Sequence, residues 1–134
     1  MKPLYKPGQS QDMLINSQYF GAALAAKFTS SSSEQDSKDG SLDHKVVLQA
    51  QHGFTAVGTS IKQAVYRAVY TQVNARVQTN AIMLGSAAGS KEGPIYLDKE
   101  QAKGSLVMNE ASQNRPWELW VREVEICPLY RREK

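Results

Sequence analysis

Apolar and polar positions along the chain change period several times, and each change marks an element. Pro3, Pro7 and Gly8 keep the first dozen residues out of a helix, so they read as an extended lead-in segment. A helix is expected from Asn16 or Ser17, either of which can cap the free amides of its first turn. Phe20, Leu24 and Phe28, with Ala23 alongside, place one apolar stripe on it. Gly21 costs that helix about 1 kcal/mol relative to alanine, tolerable where another element packs closely. Residues 29–43 are almost entirely Ser, Asp, Glu, Gln, Lys and Gly and have little to bury. They are expected to form a polar surface loop inside a domain, because apolar periodicity resumes on both sides.

From Lys45 to Gln51 the pattern alternates at period two, with Val46, Leu48 and Ala50 on one face. By this parity His52 shares that face, at the strand's end. A second β-like stretch follows Gly53, and two short strands or one strand bent near His52-Gly53 fit equally well. Ser60 then caps the strongest element, in which Ile61, Ala64, Val65, Ala68, Val69 and Val73 recur at helical spacing. The pattern runs to Leu84, giving roughly 24 residues and about 36 Å, with Gly85 as the natural stop. Asp98-x-x-Gln101 is a capping-box start to a third helix of low apolar content, expected at the surface. Pro116 suits the first position of a fourth helix. There Trp117, Trp120, Val121 and Val124 form an apolar stripe, and Pro128 ends it. The order is α, β(β), α, α, α.

Composition adds bounds. A chain of 134 residues is sized for one domain, and a hydrophobic fraction of 41% with 22% charged residues excludes wholesale disorder. The net charge of +3 is mild, and the short mixed-charge tail 131–134 is too small for a nucleic-acid patch. The single cysteine, Cys127, excludes an internal disulfide and a Cys-rich zinc module. No run approaches the ~18 apolar residues of a membrane span, and the N-terminus lacks the apolar core of a secretory signal. A soluble, cytoplasmic protein with no nucleic-acid or membrane partner is expected.

The inventory for catalysis is thin. His44, His52 and Cys127 are the nitrogen and sulfur ligands, and no His-x-His or His-Glu-x-x-His is present. His44 and His52 are up to ~26 Å apart on a straight strand and cannot share an ion unless the chain folds back. From spacing alone, His52 reads as a partly buried histidine and His44 as a solvated one. Cys127 reads as a small core residue with no histidine beside it. The Gly85–Lys91 stretch has the wrong glycine spacing for a phosphate loop. Trp117 and Trp120 at helical spacing fit packing better than a stacking platform.

Gln51-His52-Gly53, a short β run, Gly58 and a long helix from Ser60 together resemble the class II aldolase/adducin domain family. Asp12-Met13-Leu14-Ile15-Asn16 followed by Phe20-Gly21-Ala22-Ala23-Leu24-Ala25 is similar to that family's strand-then-helix. So are Ala64–Tyr70 with Asn74-Ala75-Arg76 in the long helix. Arg115-Pro116-Trp117-Glu118-Leu119-Trp120 and Pro128-Leu129-Tyr130 resemble the ending of an aldolase/adducin-like subgroup. The resemblance covers nearly the whole chain. It implies a three-layer α/β/α fold, present here as its C-terminal part, so that residues 1–134 form a partial domain with a C-terminal helix and tail over 115–134.

The resemblance also implies zinc held by three histidines, of which His52 corresponds to the one in the family's later His-Gly. Ala50-Gln51 stands where the family usually has Arg-Gly. The family's His-x-His, its acid/base glutamate and its phosphate-binding segments would precede residue 1. The chain is thus expected to be a fragment or a shortened descendant, related to zinc-dependent aldolases and epimerases of hydroxy-carbonyl substrates but inactive alone. An adducin-like assembly or cytoskeletal module is the alternative, and a small independent domain a third reading. Family enzymes are oligomers, so a homo-oligomer is implied.

Overall fold

The first helix starts where Ser17 accepts a hydrogen bond on its hydroxyl from the Phe20 amide, at 3.3 Å. In this computed structural model, which describes residues 5–12, 14–29 and 42–130, helix α1 spans Gln18–Ala25. It is shorter than its apolar stripe. The amides of Lys27 and Phe28 turn back onto the carbonyls of Leu24 and Ala25, at 2.9 and 3.0 Å, and this tighter turn still delivers Phe28 to the interior. A side chain at Gly21 would meet open space, so no close neighbour explains that glycine.

The chain divides after Ala56 into two compact units. In the first, Phe20 and Phe28 are buried, each 5% exposed. The Tyr5 ring meets Phe20 edge-on with centroids 5.2 Å apart, and Tyr19 lies 5.5 Å from Phe20. The Phe28 carbonyl accepts from the His44 amide at 3.0 Å, so the two ends of the polar segment meet. Of the loop expected over 29–43, only Thr29, Leu42 and Asp43 fall among the described residues.

Strand β1 (Val46–Gln49) pairs antiparallel with β2 (Gly53–Ala56), Val46 opposite Ala56 and Gln49 opposite Gly53. Of the two arrangements the sequence leaves open, the hairpin is the one formed. Ala50-Gln51-His52 make the turn, which removes His52 from the strand face that period-two parity assigns it. The strand expected over 12–16 is absent from the described part of that stretch. Among the described residues no strand lies beside them to bond, and the Asp12 carboxylate instead accepts from the Leu14 amide at 3.0 Å.

In the second unit, helix α2 spans Ile61–Ala87, capped by the Ser60 hydroxyl on the Gln63 amide. Gly58 lies against its first turn. A Cβ there would stand 2.6 Å from the Ala64 backbone nitrogen, so a side chain does not fit. The helix runs through Gly85 and stops at Gly89, whose φ of 74° takes the left-handed conformation. Ser90 N donates to Gly85 O and Gly89 N to Ser86 O, which satisfies the last carbonyls. The helix passes Gly85 and ends at Gly89 because Gly89 takes the left-handed conformation that lets both hydrogen bonds form.

Helix α3 (Lys99–Ser112) opens with the expected capping box between Asp98 and Gln101 and buries no residue. Helix α4 spans Asn114–Ile126, so Pro116 sits third in its first turn, where a missing N–H is still harmless. Trp117 and Trp120 are half-buried, whereas Val121 and Val124 remain exposed. A short 3-10 turn follows over Pro128–Tyr130, and half-buried Cys127 is a free thiol. Tyr66, 7% exposed, lies 6.3 Å from the Trp120 ring and donates its hydroxyl to Asn109 at 3.0 Å.

The observed class is therefore α/β, with helices and one two-stranded sheet among the described residues. No helix there is long and apolar enough to cross a membrane.

Candidate functional site

The β1–β2 turn is tight, and its middle residue sets its shape. Gln51 has φ of 63°, a left-handed conformation that disfavours any residue with a Cβ, and Gly53 follows at φ of 113°. The His52 amide closes the turn on the Gln49 carbonyl at 3.1 Å. This places His52 at the exposed tip of the hairpin. Replacing Gln51 by glycine is expected to relieve the strain and raise stability by up to about 1 kcal/mol, read as a higher urea midpoint. A lower midpoint would show that the glutamine side chain contributes more than its backbone costs.

His52 also lines a groove of about 670 Å³ contained within the first unit. Leu24 and Phe20 of α1, Leu14 and Ile15 before it, and Val47 and Leu48 of β1 supply its apolar surface. Lys27, Gln11 and Gln51 join His52 as polar groups on its wall. The hairpin brings His52 and Gln51 to this groove, and the turn after α1 brings Lys27.

The other sequence candidates stay apart from it. His44 precedes β1, at the open end of the hairpin, five residues and ~16 Å of strand before Gln49. The chain does fold back, but it leaves the two imidazoles at opposite ends. Cys127 belongs to the second unit. Among the described residues no three His, Cys, Asp or Glu side chains converge as a metal site would need. Gly85–Gly89 is a helix terminus. Tail residues 131–134 lie outside the described residues.

One feature of the second unit carries no sequence signal. Arg67 donates to the Glu110 carboxylate at 3.1 and 2.5 Å and to the Val57 carbonyl at 2.7 Å. Gln63 donates to the other Glu110 oxygen. Every strong group in this cluster is engaged, which gives it a structural part. In the groove, Lys27 falls two residues past the end of α1, in the turn that follows it. Gln51 could have been suspected from its place before His-Gly in a hairpin turn.

The profile described as the class II aldolase and adducin N-terminal domain matches residues 7–79, more than half of the chain. That stretch takes in α1, the groove apart from Tyr5, the hairpin with His52, and most of α2. The protein named decarboxylase tropJ, from Talaromyces stipitatus, is 41% identical over 130 residues, covering 94% of this chain and 47% of the relative. The chain thus spans about half the length of the curated relative it matches. No solved structure matches it.

Proposed function

Because this chain belongs to the class II aldolase and adducin family, we propose that it is part of an enzyme domain that cleaves carbon–carbon bonds next to a carbonyl. The observation that supports this is the 41% identity to a protein named as a decarboxylase, over 94% of this chain. Retro-aldol cleavage and decarboxylation both leave an electron pair that a neighbouring carbonyl must take up. A hydroxy-carbonyl substrate suits either reaction.

In this reading the hairpin is one edge of the larger sheet of a three-layer α/β/α domain, and His52 is one imidazole of a zinc site. Among the described residues no three His, Cys, Asp or Glu side chains converge, so they do not by themselves fit the ion. No step through zinc is assigned to this chain, and alone it is inactive. Self-association belongs to the same reading and is supported by exposed apolar residues such as Ile61, Leu84 and Ile95. A cytoplasmic setting is supported by the single cysteine.

Titration calorimetry with zinc on the chain is expected to give no tight one-to-one isotherm, and assays for carbon dioxide release or aldol cleavage no turnover. The genomic sequence upstream of Met1 is expected to encode an in-frame His-x-His. Tight stoichiometric zinc with turnover by the chain alone would overturn the proposal, and so would an upstream stop codon without that pair.

A further inference from the structure

The first unit holds an apolar groove, and the second holds an apolar segment that no described residue covers. Val47 and Leu48 of β1 line the groove together with Leu14, Ile15 and Leu24. β1 pairs with β2 along one edge, and no described strand takes its other edge. In the second unit Ile95, Tyr96 and Leu97 follow one another between α2 and α3, at 101%, 68% and 63% exposure. Pro94 before them and the extended Asp98 after them (φ −71°, ψ 175°) keep the segment out of both helices. The Tyr96 hydroxyl accepts from the Gln78 side chain at 3.1 Å, which ties the segment to α2. Three consecutive large side chains of this kind, all exposed, mark a contact surface and not a solvated loop.

We propose that the 94–97 segment of one copy docks in the groove of a second copy, and that two copies exchange these segments about a two-fold axis. Side chains alternate along an extended stretch, so Ile95 and Leu97 enter the groove together and Tyr96 closes over its rim. The segment's backbone adds to the open edge of β1, as an extended peptide joins a sheet. Both halves of the contact lie on this chain, so a second copy supplies all that the contact needs. Area decides for exchange over a single docking. One docked segment removes on the order of 400 Å² from each side, which is the scale of weak or lattice contacts. Exchange doubles this to about 1,600 Å² in total, the size usual for a stable interface. The inference names the contact behind the self-association in the proposed function and rests on that part of it. Its test involves no metal, turnover or upstream sequence, so the two can fail separately.

Sedimentation velocity of the full chain across micromolar concentrations is expected to show monomer in exchange with dimer. Ile95→Asp should weaken the dimer at least about a hundredfold, because the pair loses two buried isoleucines. Leu129→Asp is the control, since Leu129 is also exposed but lies outside both segment and groove. The pairing itself is read by disulfide trapping in a Cys127→Ser background. Chains carrying Ile95→Cys, mixed with chains carrying Leu48→Cys, should cross-link into heterodimers faster than either chain does alone. Both positions are exposed, so both variants fold. A monomer at every concentration, a dimer that Ile95→Asp leaves intact, or equal weakening by Leu129→Asp would each overturn the proposal. So would cross-linking no faster in the mixture, or a chain with both cysteines that closes only on itself.

Discussion

Phe20→Ala is expected to unfold the first unit. Phe20 and Phe28 are the buried apolar side chains described there, and Phe20 also carries the Tyr5 and Tyr19 rings. Truncating a buried phenylalanine costs about 3–5 kcal/mol, as lost transfer energy plus the cavity left behind. Small domains hold only a few kcal/mol in reserve, so the loss is comparable to everything the unit has. Hydrogen exchange over α1 and the hairpin should show protection collapsing in this variant. Leu48→Ala is the control, because Leu48 is 77% exposed and its loss should stay within about 0.5 kcal/mol. If exchange protection in Phe20→Ala matched wild type, the aromatic cluster would not be what holds the unit.

Arg67→Ala is expected to have the next largest effect, this time in the second unit. The Arg67 side chain is 15% exposed and that of Glu110 30%. The pair is shielded enough to matter and wet enough to be partly screened. Removing the guanidinium leaves the Val57 carbonyl without its donor and strips Glu110 of all but its bond from Gln63. Charge-assisted hydrogen bonds are worth about 1.5–3 kcal/mol. With screening at Glu110 a net loss of about 2 kcal/mol is reasonable. In a domain of this size that lowers the melting temperature by roughly 8–16 °C, measurable by circular dichroism. Glu110→Gln keeps an acceptor for Arg67 and should cost less. Equal losses in the two variants would mean that charge, rather than hydrogen-bond geometry, carries the contact.

Local signals in the sequence account for most of the elements. Ser17, Ser60 and the Asp98–Gln101 pair announce helix starts because capping chemistry acts within three residues, and all three caps form. The family was also legible, since Gln51-His52-Gly53, Gly58 and most of the helix from Ser60 lie inside the matched stretch. What local pattern missed depends on partners or on the backbone. Parity put His52 on a strand face because it assumed that the strand continued, and the left-handed Gln51 ended it. The strand expected near Leu14 has no neighbour to bond among the described residues. Gly85 and Gly89 look alike in sequence, and only the hydrogen bonds of the helix terminus choose between them. Arg67 and Glu110 are 43 residues apart, too far for any spacing rule to pair them. The groove could not be foreseen because two distant segments form its walls.

The placement of Trp117 and Trp120 has a practical consequence. They are the two tryptophans of the chain, and both lie in α4. Excitation at the red edge of indole absorption therefore reports on the second unit alone. The first unit carries Tyr5 and Tyr19 beside Phe20 and stays dark at that wavelength. An emission melt that departs from an amide-based melt would separate the two units' stabilities without labelling or truncation.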